Sequence, residues 1–214
     1  GVFPKGKKLS DISGMENFRK INNFMLTNNP PLTGEALERL RPWLLTIETA
    51  GIYLRKHPDL SQNFGFEAVF TTNIGDRPGF SLESVDLQFR TMSSISDIAS
   101  MRLLMEGVND FKSAGRDLER IMGAVTTGKT EDLTLLNNEI AFKHPEFYQK
   151  LFADRNQRMA GLIYDLMKEK QTIFVLVGAG HFVGRDNILE LLREKGCVTV
   201  QLDKTGKKGD IRPR

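Results

Sequence analysis

The chain has 214 residues, of which 40% are hydrophobic and 27% charged, as is typical of a globular protein with a substantial core. Its net charge of +3 belongs to the last twelve residues, "DKTGKKGDIRPR", because the remainder holds 25 basic and 25 acidic residues. This balance argues against a nucleic-acid-binding face, and residues 203–214 are predicted to form a basic, flexible tail. The single cysteine, Cys197, excludes an intrachain disulfide and a cysteine-rich metal site.

No stretch of the sequence reaches the roughly 18 apolar residues that a membrane-spanning helix needs, so no transmembrane segment is predicted. The chain starts with Gly1 and not with methionine, so a targeting segment could have been removed. The sequence leaves the compartment open, and a periplasmic or cell-envelope location is compatible with it.

The first half of the chain is predicted to be helical, with breaks at proline and glycine. A helix over "GMENFRKINNFML" ends at "NNPPL", and Thr33 is a predicted N-cap of the next helical segment. Pro42 should kink or divide that segment, whose expected apolar stripe is Leu40, Leu44, Ile47 and Leu54. "FGFEAVFTTN" predicts a short helix, and "RPGFSLES" predicts a short strand over residues 79–83.

The middle of the chain is more strongly helical. Ser94 is the predicted N-cap of "ISDIASMRLLMEGVNDFKSAGRDLERIMGAV", which is followed by a helix near "TEDLTLLNNEIAF". A third, long helix is predicted from about Pro145 to Lys170. We found no internal repeat or low-complexity tract.

The C-terminal part has the pattern of a βαβ unit. "TIFVLV" is continuously apolar, as in a strand buried on both faces, and "CVTVQL" is a second predicted strand. Between them "RDNILELLREKG" predicts a helix capped by Asp186 and ended by Gly196. The predicted fold class is therefore α/β, with a small, partly parallel sheet and a large helical portion in one domain over residues 1–202.

In "TIFVLVGAGHFVG", His181 follows the predicted strand "TIFVLV". Functional groups collect beyond the carboxyl ends of parallel strands, so His181 is the leading candidate for a metal ligand or general base. The alternative is an ordinary turn in which a carbonyl group satisfies the histidine. His57 and His144 each precede a proline at a segment junction and are predicted to be exposed.

The glycines around His181 also imitate a phosphate-binding loop. Gly178, Gly180 and Gly184 follow a predicted strand, and Asp203 ends the next one, as in a dinucleotide fingerprint. The third glycine comes one position late, and a histidine occupies the tight turn. A nucleotide-binding module is therefore the least favoured interpretation.

Two polar residues interrupt the apolar face of the long helix. Arg155 lies four residues from both Leu151 and Met159, and Asn156 lies four residues from Phe152. A buried guanidinium or amide must be paired, either in a structural ion pair or in a site that binds an anion or orients a ligand. In the second case both side chains should reach the same cleft as His181.

The segment "FVLVGAGHFVGRDNILELLREKGCVTVQL" resembles the C-terminal signature of the TraB/GumN family, bacterial relatives of the TIKI membrane proteases. The resemblance continues backwards through "ADRNQRMA", "SLESVDLQ", "GFEAVF", "LRPWLL" and "FPKGKKLSDI", in the family's order. It implies a TIKI-like fold and a metal-dependent hydrolase, in some members a peptidase that uses a divalent metal such as Mn or Co.

The family apparatus implied by the resemblance is two glycine-x-x-histidine motifs and a glutamate. His181 corresponds to the second histidine, with Gly178 as its hinge and Gly180 beside it, while Arg155 and Asn156 correspond to the helix-borne polar pair. Glu83 matches a recurrent glutamate and is a candidate metal ligand with His181.

The family's first motif and its glutamate precede the region that matches "FPKGKKLSDI", and no second Gly-x-x-His occurs in the printed chain. The resemblance thus implies a hydrolase only if a first glycine-x-x-histidine motif is supplied from outside the printed sequence. The alternative is a non-catalytic family member that binds a peptide or small ligand in the same cleft.

Overall fold

The computed structural model describes residues 1–58, 65–169, 172–202 and 205–206. It divides into two compact units, Gly1–Leu118 and Glu119–Arg214. The prediction of a single domain over residues 1–202 stays a prediction. The predicted tail lies almost wholly outside the described residues. No helix among those residues combines the length and the apolar character needed to cross a membrane.

The first unit is built from helices around one apolar core. Its described helices, the last of which continues into the second unit, are α1 Leu9–Asn28, α2 Gly34–Glu38, α3 Pro42–Lys56, α4 Phe66–Asn73, α5 Val85–Ser94, α6 Asp97–Asn109 and α7 Ser113–Thr127. Helix α6 packs against both α1 and α3, and α1 also packs against α2. The core contains Leu9, Ile21, Met25, Leu37, Leu45, Ile52, Met101 and Leu104.

The helical character predicted for this unit is confirmed, but the single helix predicted after Ser94 is two helices, α6 and α7, and α5 was not predicted. Pro42 divides the second segment as expected and begins α3. The N-cap of α6 is Ser96, whose hydroxyl accepts a hydrogen bond from the Ala99 amide, whereas Ser94 ends α5. The buried face of α3 is also wrong, because Ile47 is 42% exposed while Leu45 is fully buried.

The second unit carries the site. Its described elements are α8 Glu131–Lys143, α9 Pro145–Tyr148, a π-helical turn Gln149–Ala153, α10 Asp154–Met167, a 3₁₀ turn Ala179–Phe182 and α11 Ile188–Glu194. The predicted long helix from Pro145 is thus confirmed, with one π turn within it. Asn187, and not Asp186, caps α11, because its Oδ1 accepts from the Glu190 amide at 3.0 Å.

The predicted α/β fold is wrong. The described residues contain no β-strand and no sheet, and this holds for residues 79–83, 172–177 and 197–202 alike. Phe174 is 66% and Val198 is 90% exposed, so these apolar stretches are not buried on both faces as the strand interpretation required. A strand needs a neighbour that completes its hydrogen-bond ladder, and hydrophobic patterning cannot supply one. The predicted parallel βαβ unit is therefore absent from the described part of the chain: of its three elements only the helix, α11, is formed.

Candidate functional site

His181 lies in a short turn between two helices of the second unit. Residues 178–184, here called the His181 turn, include the 3₁₀ segment Ala179–Phe182, in which the His181 amide donates to the Gly178 carbonyl at 2.9 Å. His181 is buried, with 8% of the residue's surface exposed. It is directed toward α10 and the π turn before it, where its partners lie.

Asn156 contacts His181 directly. The Asn156 Oδ1 and His181 Nδ1 atoms are 2.6 Å apart, and the Asn156 Nδ2 atom donates to the Asp186 carbonyl at 2.8 Å. Because Nδ2 is engaged by a carbonyl, Oδ1 must face the imidazole, and an amide oxygen can only accept. His181 therefore carries a proton on Nδ1, and in the neutral ring Nε2 holds the lone pair.

A π turn lies next to His181: it contains Phe152 and precedes Asn156. Residues Gln149–Ala153 form this turn, and α10 starts at Asp154. Such insertions are frequent at functional sites, because they change the direction in which the following side chains point. Asn156 is 1% exposed, which confirms the expectation that it lies on the core side of its helix.

A second asparagine holds the backbone of the His181 turn from α8. The Asn137 Nδ2 atom donates to the carbonyls of Gly180, at 2.7 Å, and Val183, at 3.1 Å. Asn137 is 3% exposed, so its amide satisfies two carbonyl groups that would otherwise be buried with fewer partners. The turn is thus fixed by α8 through its backbone and by α10 through its imidazole.

Two of the three glycines in this turn have a steric reason for being glycine. A Cβ on Gly180 would lie 3.1 Å from the Phe152 ring, and Gly184 has a φ of 76°, with its Cβ position 3.2 Å from Asn137 Cβ. Gly178 has a φ of −58°, and a Cβ there would meet only ordinary contact distances. The proposed binding role of Gly178 and Gly180 stays a prediction.

Aromatic rings cover one side of the imidazole. The Phe152 ring lies 5.5 Å from that of His181, and Tyr148 stacks on Phe152 at the same centroid distance. The Tyr148 hydroxyl donates to the Arg185 carbonyl. Burial raises the pKa of Tyr148, and the nearby Asp186 carboxylate raises it further, so this hydroxyl remains a donor at neutral pH.

Arg155 lies in the second unit with His181, whereas Glu83 belongs to the first unit. Arg155 is half-buried, and its Nη1 atom donates to the Leu151 carbonyl one helical turn earlier, at 3.2 Å. Glu83 lies in a bend before α5, in the first unit. Within the described ranges there is no group of three or more His, Cys, Asp or Glu side chains that could hold a metal ion. The roles of Arg155 and Glu83 remain predictions.

Sequence analysis missed Asn137 and misplaced one histidine. Asn137 lies four residues from both Leu133 and Ala141, which are buried positions of α8, so the spacing that singled out Asn156 could have identified it. His144 is 8% exposed, contrary to the expectation that it would be exposed. Asp203, the last element of the dinucleotide pattern, lies outside the described residues.

Comparison with known proteins gives a family assignment. The model of the TraB/PrgY/gumN family matches residues 1–201. The chain belongs to this family. A curated relative, Metalloprotease TIKI2 from Xenopus tropicalis, is 35% identical over 74 residues, which cover 34% of this chain and 13% of that protein. The match therefore spans a small part of the curated relative, and no solved structure matches the chain significantly.

Proposed function

We propose that this TraB/PrgY/gumN family member acts in metal-dependent peptide hydrolysis and that His181 is its functional imidazole. The observation that carries the proposal is the hydrogen bond between His181 Nδ1 and Asn156 Oδ1. In a histidine that binds a metal or acts as a base, one ring nitrogen usually does this work while the other donates a hydrogen bond to a buried protein group that fixes the tautomer. The partial similarity to a protein named as a metalloprotease supports peptides as the substrate class.

The described residues supply part of what a divalent metal of the Mn or Co type requires. An Nε2 lone pair on a neutral imidazole is a suitable donor for such a metal. Catalytic zinc sites, however, typically have three protein ligands, and no cluster of three candidate ligands exists in the described part of the chain. The described residues by themselves do not form a complete metal site.

The roles of the chain's own groups follow from their chemistry. Nε2 of His181 can accept a proton or donate its lone pair, and Asn156 keeps it in that form by accepting from Nδ1. Arg155, one residue before Asn156, is the candidate for stabilising negative charge that develops when an amide is attacked. Glu83, a residue of the first unit, stays a proposed second ligand on the family resemblance alone.

The incomplete ligand set favours one alternative, in which the protein binds a peptide or small ligand in the same place without cleaving it. Both proposals use the environment of His181. They differ in whether bound peptide is turned over.

The test is His181→Asn in the full chain, because the asparagine amide can still donate to Asn156 while nothing replaces Nε2. The matched control is His57→Asn, a half-buried histidine of the first unit. Binding of Mn²⁺ and Co²⁺ is measured by equilibrium dialysis, and cleavage is followed with a mixture of fluorogenic peptides.

His181→Asn should weaken metal binding by more than about tenfold and abolish cleavage, while His57→Asn should leave both unchanged. Equal metal binding in wild type and His181→Asn would remove the ligand assignment. Peptide binding that depends on His181 without any turnover would establish the binding alternative.

A further inference from the structure

The second unit contains an apolar pocket beside the His181 turn, lined by residues of that turn other than His181. Its volume is about 210 Å³, and its base consists of Ala124 on α7, Leu133 on α8 and Val183. Ala179 and Phe182 complete the wall. In a 3₁₀ segment residues three apart lie on one side, so these two residues face the pocket together. His181, between them, faces Asn156 instead.

We propose that this pocket binds one large apolar side chain, of leucine or phenylalanine size, from a peptide that occupies the site of His181. The inference rests on the proposed function and adds a specificity determinant to it. A cavity of about 150 Å³ lined by apolar side chains accommodates a benzene molecule. The pocket, at about 210 Å³, therefore holds a single ring or branched chain and is too small for a whole drug-sized ligand.

The pocket is almost wholly apolar, and its few polar side chains are exposed ones. Thr130 and Gln201 lie at the rim, and the Gln201 Nε2 atom donates to the Gly128 carbonyl at 3.1 Å. The Gly128 carbonyl is thus already engaged, and the pocket presents an almost wholly apolar surface to an occupant. An apolar interior with few polar groups suits the side chain of an occupant and not its polar main chain.

Asn137 connects the pocket to His181. It lies one helical turn after Leu133 on α8, and it donates to the carbonyls of Gly180 and Val183. A side chain that enters the pocket therefore contacts the same rigid turn that holds the imidazole. The side chain held in the pocket would fix the position, relative to His181, of the neighbouring peptide bond of the same peptide. A specificity pocket acts in this way in a peptidase.

The experiment is a titration of the full chain, labelled at alanine and valine methyl groups, with N-acetyl-leucinamide, N-acetyl-phenylalaninamide and N-acetylglycinamide. The first two should bind about 10- to 100-fold more tightly than the glycine compound. They should also shift the methyl signals of Ala124, Ala179 and Val183.

Val125→Trp should fill the pocket from its rim, where Val125 is 47% exposed, and should abolish this preference. Met122→Trp is the matched control, because Met122 lies on the same helix, is 49% exposed and does not line the pocket.

The outcomes separate this inference from the proposed function. Selective binding that His181→Asn retains and Val125→Trp loses supports the pocket, even if no peptide is cleaved. Cleavage that shows no preference for apolar side chains and is unchanged by Val125→Trp would overturn the pocket while leaving hydrolysis intact. Methyl shifts confined to residues away from the pocket would overturn it as well.

Discussion

Replacing Asn156 by leucine tests the role of the asparagine between His181 and Asp186. Leucine has the same branching and number of side-chain heavy atoms but neither accepts from His181 Nδ1 nor donates to the Asp186 carbonyl. An unsatisfied buried group costs about 1–3 kcal/mol. His181 is buried, so its lost bond should cost the full amount, whereas Asp186 is exposed and water can replace part of the second bond. We expect a loss of about 2–4 kcal/mol in the free energy of unfolding.

Urea denaturation measures this loss, with Asn138→Leu as the control. Asn138 is an exposed asparagine of α8, so its replacement should change the free energy of unfolding by less than about 0.5 kcal/mol. The second measurement is the ¹⁵N spectrum of the His181 ring. Wild type should show a proton on Nδ1, and Asn156→Leu should show a mixture of tautomers. A wild-type ring protonated on Nε2 alone would refute the assignment, whatever the stability of the variant.

Two further predictions concern stability. Gly184→Ala should lower the free energy of unfolding by about 1–3 kcal/mol, because a Cβ is strained at a φ of 76° and lies close to Asn137. The control is Gly161→Ala, at an open position within α10, which should not destabilise the protein. If urea titration gave the two variants the same free energy of unfolding, the argument would be contradicted. Burial raises the pKa of Asp97, but hydrogen bonds from Lys7 and Arg41 outweigh it and hold the pKa below the ordinary value of 3.8. The stabilisation is therefore present above about pH 3.8 and is lost as the pH falls through the folded-state pKa, so Asp97→Asn should cost about 1–3 kcal/mol at pH 7 and progressively less as the pH is lowered below 3.8. A cost that does not change with pH would contradict this sign.

Helix existence could be predicted from the sequence, whereas helix faces and caps could be predicted only in part. Periodicity and proline positions located the helices, including the break at Pro42, because these signals act over a few neighbouring residues. On α3 apolar residues occupy more than one face, so spacing alone could not distinguish Leu45 from Ile47. Caps at Ser96 and Asn187 were each missed by one or two positions, as expected when several capping residues are adjacent.

The strand predictions failed for a different reason. "TIFVLV" and "CVTVQL" have strand composition, but a strand is defined by hydrogen bonds to a neighbour that is distant in sequence. The large exposure of Phe174 and Val198 shows that composition alone did not secure burial either. Local pattern is informative about helices, whose hydrogen bonds are local, and much less informative about sheets.

The candidate site illustrates what a single sequence can and cannot provide. The spacing of Asn156 on an apolar face indicated a buried amide that needs partners, and the structure shows His181 as one of them. The sequence could not reveal that Asn137 holds the same turn from another helix, because that contact joins residues more than forty positions apart. Two asparagines from two helices therefore restrict both the backbone and the ring of His181. Since each is almost fully buried, a rigid imidazole of defined tautomer is a property of the packed second unit and not of the Gly-x-x-His motif alone.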